Sequence, residues 1–294
     1  MLAPWLELPG MTELAASFGE AAGLDLIRLG TTADADEIKD TAVTQPLVVA
    51  AALLAAAALT VPDAAVTAGH SVGELAAAAL AGVLDPTTAV RTAAVRGAAM
   101  GEACAATPTG MSAVLGGDTE LVLQQLAGLD LVGANVNGGG QIVAAGSLPA
   151  LAALAADPPA GARVIPLPVA GAFHTAFMAP AESAVAAALA AINPVDPQRP
   201  LLTNSDGSVV TSGRAYLDLL AAQVTRPVRW DACMATLSSL GVTGVLELPP
   251  AGTLVGLVKR QLKGPGAPAT FALKTPDDLD QAAAFLDDHS EVPA

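Results

Sequence analysis

The sequence predicts an α/β fold with a mainly parallel sheet, interrupted by a small inserted unit. Three observations carry this. Helix-like and strand-like patterns alternate along almost the whole chain, the arrangement that lays helices against a parallel sheet. The 294 residues are 53% hydrophobic but only 3% aromatic, much of the apolar content being alanine, which suits closely packed helices. Between residues 107 and 171 the alternation changes to a β-α-β-β-α-β order without the final pair complete, or close to it, which suits a small ferredoxin-like insert. The predicted organisation is therefore a large subdomain, 1–106 and 172–294, and a small one, 107–171. "ATPTG" (106–110) and "AGAFH" (170–174) are the crossing points.

The elements follow in order. "QPLVVAAALLAAAAL" (45–59) reads as a helix. Its apolar run, Leu47 to Leu59, is ended by Thr60 and Pro62. A spanning helix needs about 20 apolar residues, so this one is read as buried. "AAVTAG" (64–69) reads as a short strand, and "GELAAAALAGV" and "PTTAVRTAAVRGAAMGEAC" as helices, the second opened by Pro86. In the insert, "GMSAVLGG" is a strand and "DTELVLQQLAG" a helix capped by Asp118. "DLVGANVNGGGQIVAAG" gives two strands around a Gly-rich turn, "SLPALAALAA" a helix and "ARVIPLPVAG" a strand. Then come a helix over 175–192, the strand "PLLTN", helices across 215–240, the strand "GVLEL", a helix over 253–263, the strand "ATFAL" and a last helix.

Composition narrows the function. A formal net charge of −15 argues against nucleic acid as a partner, since binding it needs a basic surface. The few cations gather late in the chain at Arg226, Arg229, Lys259, Arg260 and Lys263. They read either as helix-end charges or as a local patch for an acidic partner. Cys104 and Cys233 form no CxxC pair and the three histidines no spaced ligand set, so no metal site is expected and the thiols read as buried. The N-terminus carries no basic residue ahead of its apolar positions, unlike a signal peptide. A cytoplasmic protein, without membrane attachment, is expected.

The chemistry centres on "TAGHSVGELAAAAL" (67–80). "GHSVG" fits G-x-S-x-G, and a strand before it with a helix after it is the context of a nucleophile elbow. Ser71 is then the nucleophile, and the Val72 N–H, at a helix N-terminus, a donor to a developing oxyanion. The alternative is a serine that only caps the helix. A serine nucleophile needs a base. His70 is badly placed as its neighbour on the turn. His289 lies in the acidic tail "LDDHSEVPA" and reads as solvated. His174, at the predicted subdomain junction, is preferred over a purely structural reading. The acids between, Asp85, Asp118, Asp130 and Asp157, sit at helix starts or loops. That favours a Ser-His dyad whose imidazole is oriented by something other than a carboxylate. On the helix after the elbow, Val90, Ala93, Gly97, Met100 and Cys104 form one stripe at 100° per residue, with Arg96 at its edge. Arg96 is either half of a structural salt bridge or a clamp for a substrate carboxylate.

Taken together, "GHSVGE", "RG..M" with Arg96, and "AFH" with His174 resemble the malonyl-CoA:acyl carrier protein transacylases, as do "NVNGGGQIVAAG", "AAQVTRPVRW" and "ELPPAGTLVGLVKR". The similarity runs from about residue 5 to about 275 and is strongest to the actinobacterial fatty-acid enzymes. The resemblance implies an α/β-hydrolase-like large subdomain. It implies ping-pong transfer: Ser71 takes malonyl from coenzyme A and passes it to the phosphopantetheine thiol of acyl carrier protein. By the same resemblance His174 would be base and then acid, Arg96 would bind the malonyl carboxylate, Asn137 would lie near the substrate, and Asn204 and the main chain at Gln223 would orient His174. Phe173 and Val72 match positions that accompany malonyl preference. Methylmalonyl is less easily excluded, since one methyl is worth only about 1–3 kcal/mol in a pocket. The partners implied are malonyl-CoA and acyl carrier protein. No bound cofactor is implied, coenzyme A entering as the substrate thioester, and a monomer is expected. The carrier is itself acidic, so the late cations are its candidate docking surface.

The family begins with a hydrophobic strand and a "GQGSQ" loop that gives a second oxyanion donor. This chain starts at "MLAPWLELPGM", just downstream of such a segment. The expectation is that the natural chain is longer, and that the chain as written is weakly active and poorly soluble. The alternatives are a serine esterase or thioesterase using the same elbow, and an inactive acyltransferase in a synthase complex.

Overall fold

The computed structural model describes residues 1–290. Its largest core is helical. Helix Thr41–Ala57 packs along helix Pro86–Ala106. Alanines set the spacing, with Ala50, Ala51, Ala89 and Ala93 at most 1% exposed. Gly97 marks the closest approach, since a Cβ there would lie 2.6 Å from the Thr41 carbonyl oxygen. The predicted stripe Val90, Ala93, Gly97, Met100 and Cys104 is buried, and Arg96 is buried with it. The first of these helices starts a turn earlier than "QPLVV" suggested. Asp40 caps it, accepting from the Ala42 N–H, and Pro46 lies inside the helix. Proline removes a backbone donor, yet the helix runs through Pro46.

The insert has the predicted order of elements. β1 (Thr109–Gly116), β2 (Val132–Gly138), β3 (Gln141–Ser147) and β4 (Ala162–Pro166) lie in the order β4-β1-β3-β2, each antiparallel to its neighbour. Helices Thr119–Gly128 and Leu148–Ala156 cover one face, the first capped by Asp118 as expected. Alternation assigns the faces. Ile142 and Ala144 point to the helices, while Val143 and Ala145 join Met111, Ala134 and Ala172 on the other side. That second face packs on Phe173, which also borders the large core. The sheet is extended across the junction by Val228–Arg229, parallel to β2.

The mainly parallel sheet predicted for the rest of the chain takes a more fragmentary form. The "AAVTAG" segment forms no strand; a single parallel bridge joins Thr67 to Leu201. Gly244–Glu247 pairs in parallel with Ala269–Ala272, and Leu201–Leu202 pairs antiparallel with Val209–Val210. Prolines bound these ladders at positions 62, 200, 249 and 268, and a proline cannot donate to a ladder. The longest sheet is the mixed one of the insert, five strands counting Val228–Arg229. His289, read as solvated, is half-buried: its ring lies 4.6 Å from that of Phe285, with Nδ1 hydrogen-bonded to Thr243 Oγ1 at 2.9 Å. The last part of its tail, 291–294, lies outside the described residues. Among the described residues no helix is long and apolar enough to cross a membrane.

Candidate active site

The elbow is a strained turn held from several sides. Ser71 has φ 53°, the left-handed region that a non-glycine residue enters at a cost of about 1–3 kcal/mol. Its N–H donates to Asn204 Oδ1 at 2.7 Å, and Asn204 Nδ2 donates to the Gly69 carbonyl at 2.7 Å. The Gly73 N–H donates to the His70 carbonyl and the Glu74 N–H to that of Ser71, both at 3.0 Å, which starts helix Gly73–Leu80. The two glycines of the motif are not equivalent. A Cβ on Gly69 would lie 2.1 Å from the Gly73 carbonyl group, whereas one on Gly73 would meet nothing within 4 Å. Val72 stands at the helix N-cap position.

Ser71 Oγ lies 2.7 Å from His174 Nε2, and His174 Nδ1 lies 2.8 Å from the Gln223 carbonyl oxygen. A carbonyl only accepts, so Nδ1 carries the proton and Nε2 is free to accept from the serine hydroxyl. A main-chain oxygen thus does the orienting that a carboxylate performs in a triad. His174 is 3% exposed, and burial, with the Arg96 charge adding to it, lowers its pKa to about 3. The resting imidazole is therefore a neutral base. Asn204, expected to orient His174, instead ties down the elbow; its amide is spent on Ser71 and Gly69.

Arg96 is 4% exposed and aims its guanidinium at the dyad. Nη1 donates to Gln45 Oε1 at 2.5 Å, and Nη2 donates to Gln223 Oε1 at 2.8 Å and to Ser71 Oγ at 3.1 Å. It is in no salt bridge among the described residues, which removes the structural ion-pair alternative. Burial lowers its pKa to about 10, opposed by the charge of Glu74. Glu74 is itself 1% exposed, and burial raises its pKa to about 7 against the pull of its donors and of Arg96.

Asn137 reaches the elbow from the insert. Its Oδ1 accepts from His70 Nε2 at 2.8 Å, and its Nδ2 donates to Gln141 Oε1 at 3.3 Å. His70 thus bridges the two parts of the chain, edge-on to Trp230 and kept from protonating by burial. Phe173, half-buried, precedes His174 at the same junction. Gln45, Glu74 and the His70 bridge were not singled out in the sequence. Of the late cations, Arg229 is held by Asp231 through two hydrogen bonds of 2.9 Å. Arg226, Lys259, Arg260 and Lys263 are exposed. Lys259 and Arg260 lie in the last turn of helix Thr253–Gln261, whose end abuts the β2–β3 turn, where the Gly139 N–H donates to Gln261 Oε1 at 2.5 Å.

A serine on a strained elbow, a neutral histidine with no acid behind it and a buried arginine beside them, on this α/β frame, define a protein suited to acyl transfer. Residues 10–290 match the family model described as acyl transferase domain. The chain belongs to that family and is an acyltransferase. It is 57% identical over 288 residues to the malonyl CoA-acyl carrier protein transacylase of Mycobacterium tuberculosis, covering 96% of this chain and 94% of that one. The corresponding protein of Mycolicibacterium smegmatis is 54% identical, covering 95% and 98%. The crystal structure of MCAT from Mycobacterium tuberculosis superposes with a TM-score of 0.90 at 56% identity, over 96% of this chain and 94% of that one. A malonyl-transacylase in complex with a type II PKS acyl-carrier protein superposes with a TM-score of 0.86 at 30% identity, over 97% and 94%.

Proposed function

We propose that this acyltransferase moves a malonyl group from malonyl-CoA to the phosphopantetheine thiol of an acyl carrier protein, in fatty acid biosynthesis. Ser71 Oγ attacks the thioester carbonyl carbon while His174 Nε2 takes its proton. The oxyanion of the tetrahedral intermediate accepts from the Val72 N–H. Collapse breaks the C–S bond, and the coenzyme A sulfur leaves with the proton from His174. The carrier thiol then attacks the malonyl-serine ester by the reverse route, its proton passing through His174 to Ser71 Oγ. Asn137 and Phe173 line the acyl site, and Asn204 and Gln223 hold the elbow and the imidazole. The large part, 1–106 and 172–294, carries the dyad, and the insert, 107–171, closes the site. No bound cofactor takes part, and the reading includes a cytoplasmic monomer.

The observation that carries the malonyl assignment is Arg96. Its buried guanidinium lies 3.1 Å from Ser71 Oγ and meets only neutral oxygens. A carboxylate on the acyl group satisfies that charge, and a neutral acyl group leaves it unmatched. Arg96→Ala is expected to cut malonyl loading about 100-fold or more while acetyl loading changes little, read from single-turnover labelling of Ser71. An unchanged malonyl-to-acetyl ratio would refute the clamp.

The carrier is acidic, and its docking surface is proposed at Arg226, Lys259, Arg260 and Lys263, with Arg229 a weaker contributor because Asp231 already pairs with it. Reversing the charge at both Lys259 and Lys263 is expected to raise the KM for carrier protein about 10-fold at low salt. The effect should shrink as salt screens it. A carrier KM unmoved at low salt would take these residues out of the interface.

A further inference from the structure

We propose that Glu74 is a positioning residue that sets the polarity of the Gln223 side-chain amide and so keeps Arg96 ready for a carboxylated acyl group. The inference rests on the reading of Arg96 as the carboxylate clamp. Glu74 is the one acidic residue of helix Gly73–Leu80, buried in its first turn. One of its oxygens, Oε1, accepts from the Asn204 N–H at 2.6 Å. The other, Oε2, accepts from Gln223 Nε2.

A primary amide has a donor end and an acceptor end, and an ionised carboxylate only accepts. Both Glu74 oxygens accept, so above its pKa of about 7, where it is ionised, Glu74 fixes which end of Gln223 faces it. The same Nε2 donates to the Ser71 carbonyl at 3.1 Å, so the donor end is matched twice. Gln223 Oε1 is left facing Arg96 Nη2 at 2.8 Å. With the amide reversed, its N–H groups would confront the guanidinium and its oxygen the carboxylate. Both contacts would be repulsive in a site closed to water.

The arrangement separates Glu74 from Arg96 by one amide. A direct ion pair would hold the guanidinium in place but occupy the charge that a substrate carboxylate needs. Through the amide, Arg96 gains a fixed acceptor and a balancing negative charge nearby, and its fork stays unpaired by any carboxylate. Gln45 supplies a second neutral oxygen on Nη1.

Glu74→Gln tests this with almost no change of shape. The backbone N–H of Asn204 cannot turn, so the new side chain keeps its oxygen there and presents an N–H to Gln223, which must reverse. Malonyl loading of Ser71 by malonyl-CoA and labelling of Ser71 by a neutral fluorophosphonate are measured at about pH 8, where Glu74 is ionised, on protein whose melting transition is intact. Malonyl loading is expected to fall 10-fold or more, carried by KM, while phosphonate labelling stays within threefold. Equal losses in both would mark Glu74 as merely structural and overturn the proposal, as would no loss in either. Glu74→Met removes the carboxylate at similar size and leaves the Gln223 amide free to turn. It should show the same selective loss, and it decides the matter if Glu74→Gln does not fold; an unchanged ratio overturns the proposal. Arg96→Ala separates the two levels. If that variant keeps malonyl preference, the clamp itself fails. If it loses preference while both other variants retain it, only the role of Glu74 fails.

Discussion

Ser71→Ala and His174→Ala are each expected to lower acyl-enzyme formation by about 10^4-fold or more, and the double variant should be little worse than either alone. Groups that act as one unit show this non-additivity. Here the unit is a hydroxyl 2.7 Å from an imidazole whose other nitrogen is fixed by a main-chain oxygen. Without Ser71 there is no atom to carry the acyl group; without His174 the hydroxyl keeps its proton. Mass spectrometry after mixing with malonyl-CoA checks the first, and stopped-flow loading rates check the second. Loading within tenfold of the parent in either variant would move the chemistry elsewhere. The pH dependence adds a second readout. The His174 pKa lies well below the ordinary histidine value of 6.5, at about 3. Labelling of Ser71 by a neutral fluorophosphonate should therefore stay flat from about pH 8 to about pH 5, with no break near 6.5. The same depression is a stability statement. The buried neutral imidazole contributes stability that is present above pH 6.5 and is lost as pH falls from there toward 3. Glu74 has the opposite sign. Its pKa, raised to about 7 from 4.5, contributes stability below 4.5 that is lost as pH rises through 7.

Much of this site was legible because its signals are local. A glycine-punctuated turn, a capped helix and an apolar stripe are written within about twenty residues each. The insert's strand order follows from a β-α-β-β-α-β pattern and its helix caps. The parts that were not legible depend on partners far away in sequence. Asn204 lies 133 residues from the serine it holds, and nothing in "PLLTN" says whether its amide meets an imidazole or a turn. Gln45 stands at the first residue of the predicted helix, and nothing local says that its amide meets Arg96, 51 residues away. Glu74 was hidden because an acid in a first helical turn is ordinarily explained by the helix dipole; only its burial shows that it faces inward. The approach to the elbow looked like a strand because "AAVTAG" has strand composition. Composition does not supply a ladder partner, and a single bridge to Leu201 is what the segment forms.

The motif's two glycines are expected to respond in opposite ways to alanine. At Gly69 an added Cβ would stand 2.1 Å from the carbonyl carbon and oxygen of Gly73 and 2.4 Å from the Glu74 nitrogen. These are backbone atoms, so no rotamer change relieves the overlap. The start of helix Gly73–Leu80 must move away from the approach segment. That movement pulls at Ser71, whose N–H is bound to Asn204, and at the Gly69 carbonyl bound to the same side chain. The near-attack geometry at Ser71 Oγ tolerates little displacement, since about 1 Å can cost 100-fold in rate. Gly69→Ala should therefore lose about 100-fold or more in acyl loading. It should also lose stability at the upper end of the about 1–3 kcal/mol typical of overpacking. Gly73 has open space where its Cβ would be and sits at the first position of the helix. Alanine there adds helix propensity worth up to about 1 kcal/mol, so Gly73→Ala should melt at the same temperature or higher. Thermal melts of the two variants side by side distinguish a turn that needs one close backbone crossing from one that needs two permissive residues. Equal destabilisation at both positions would contradict the asymmetry.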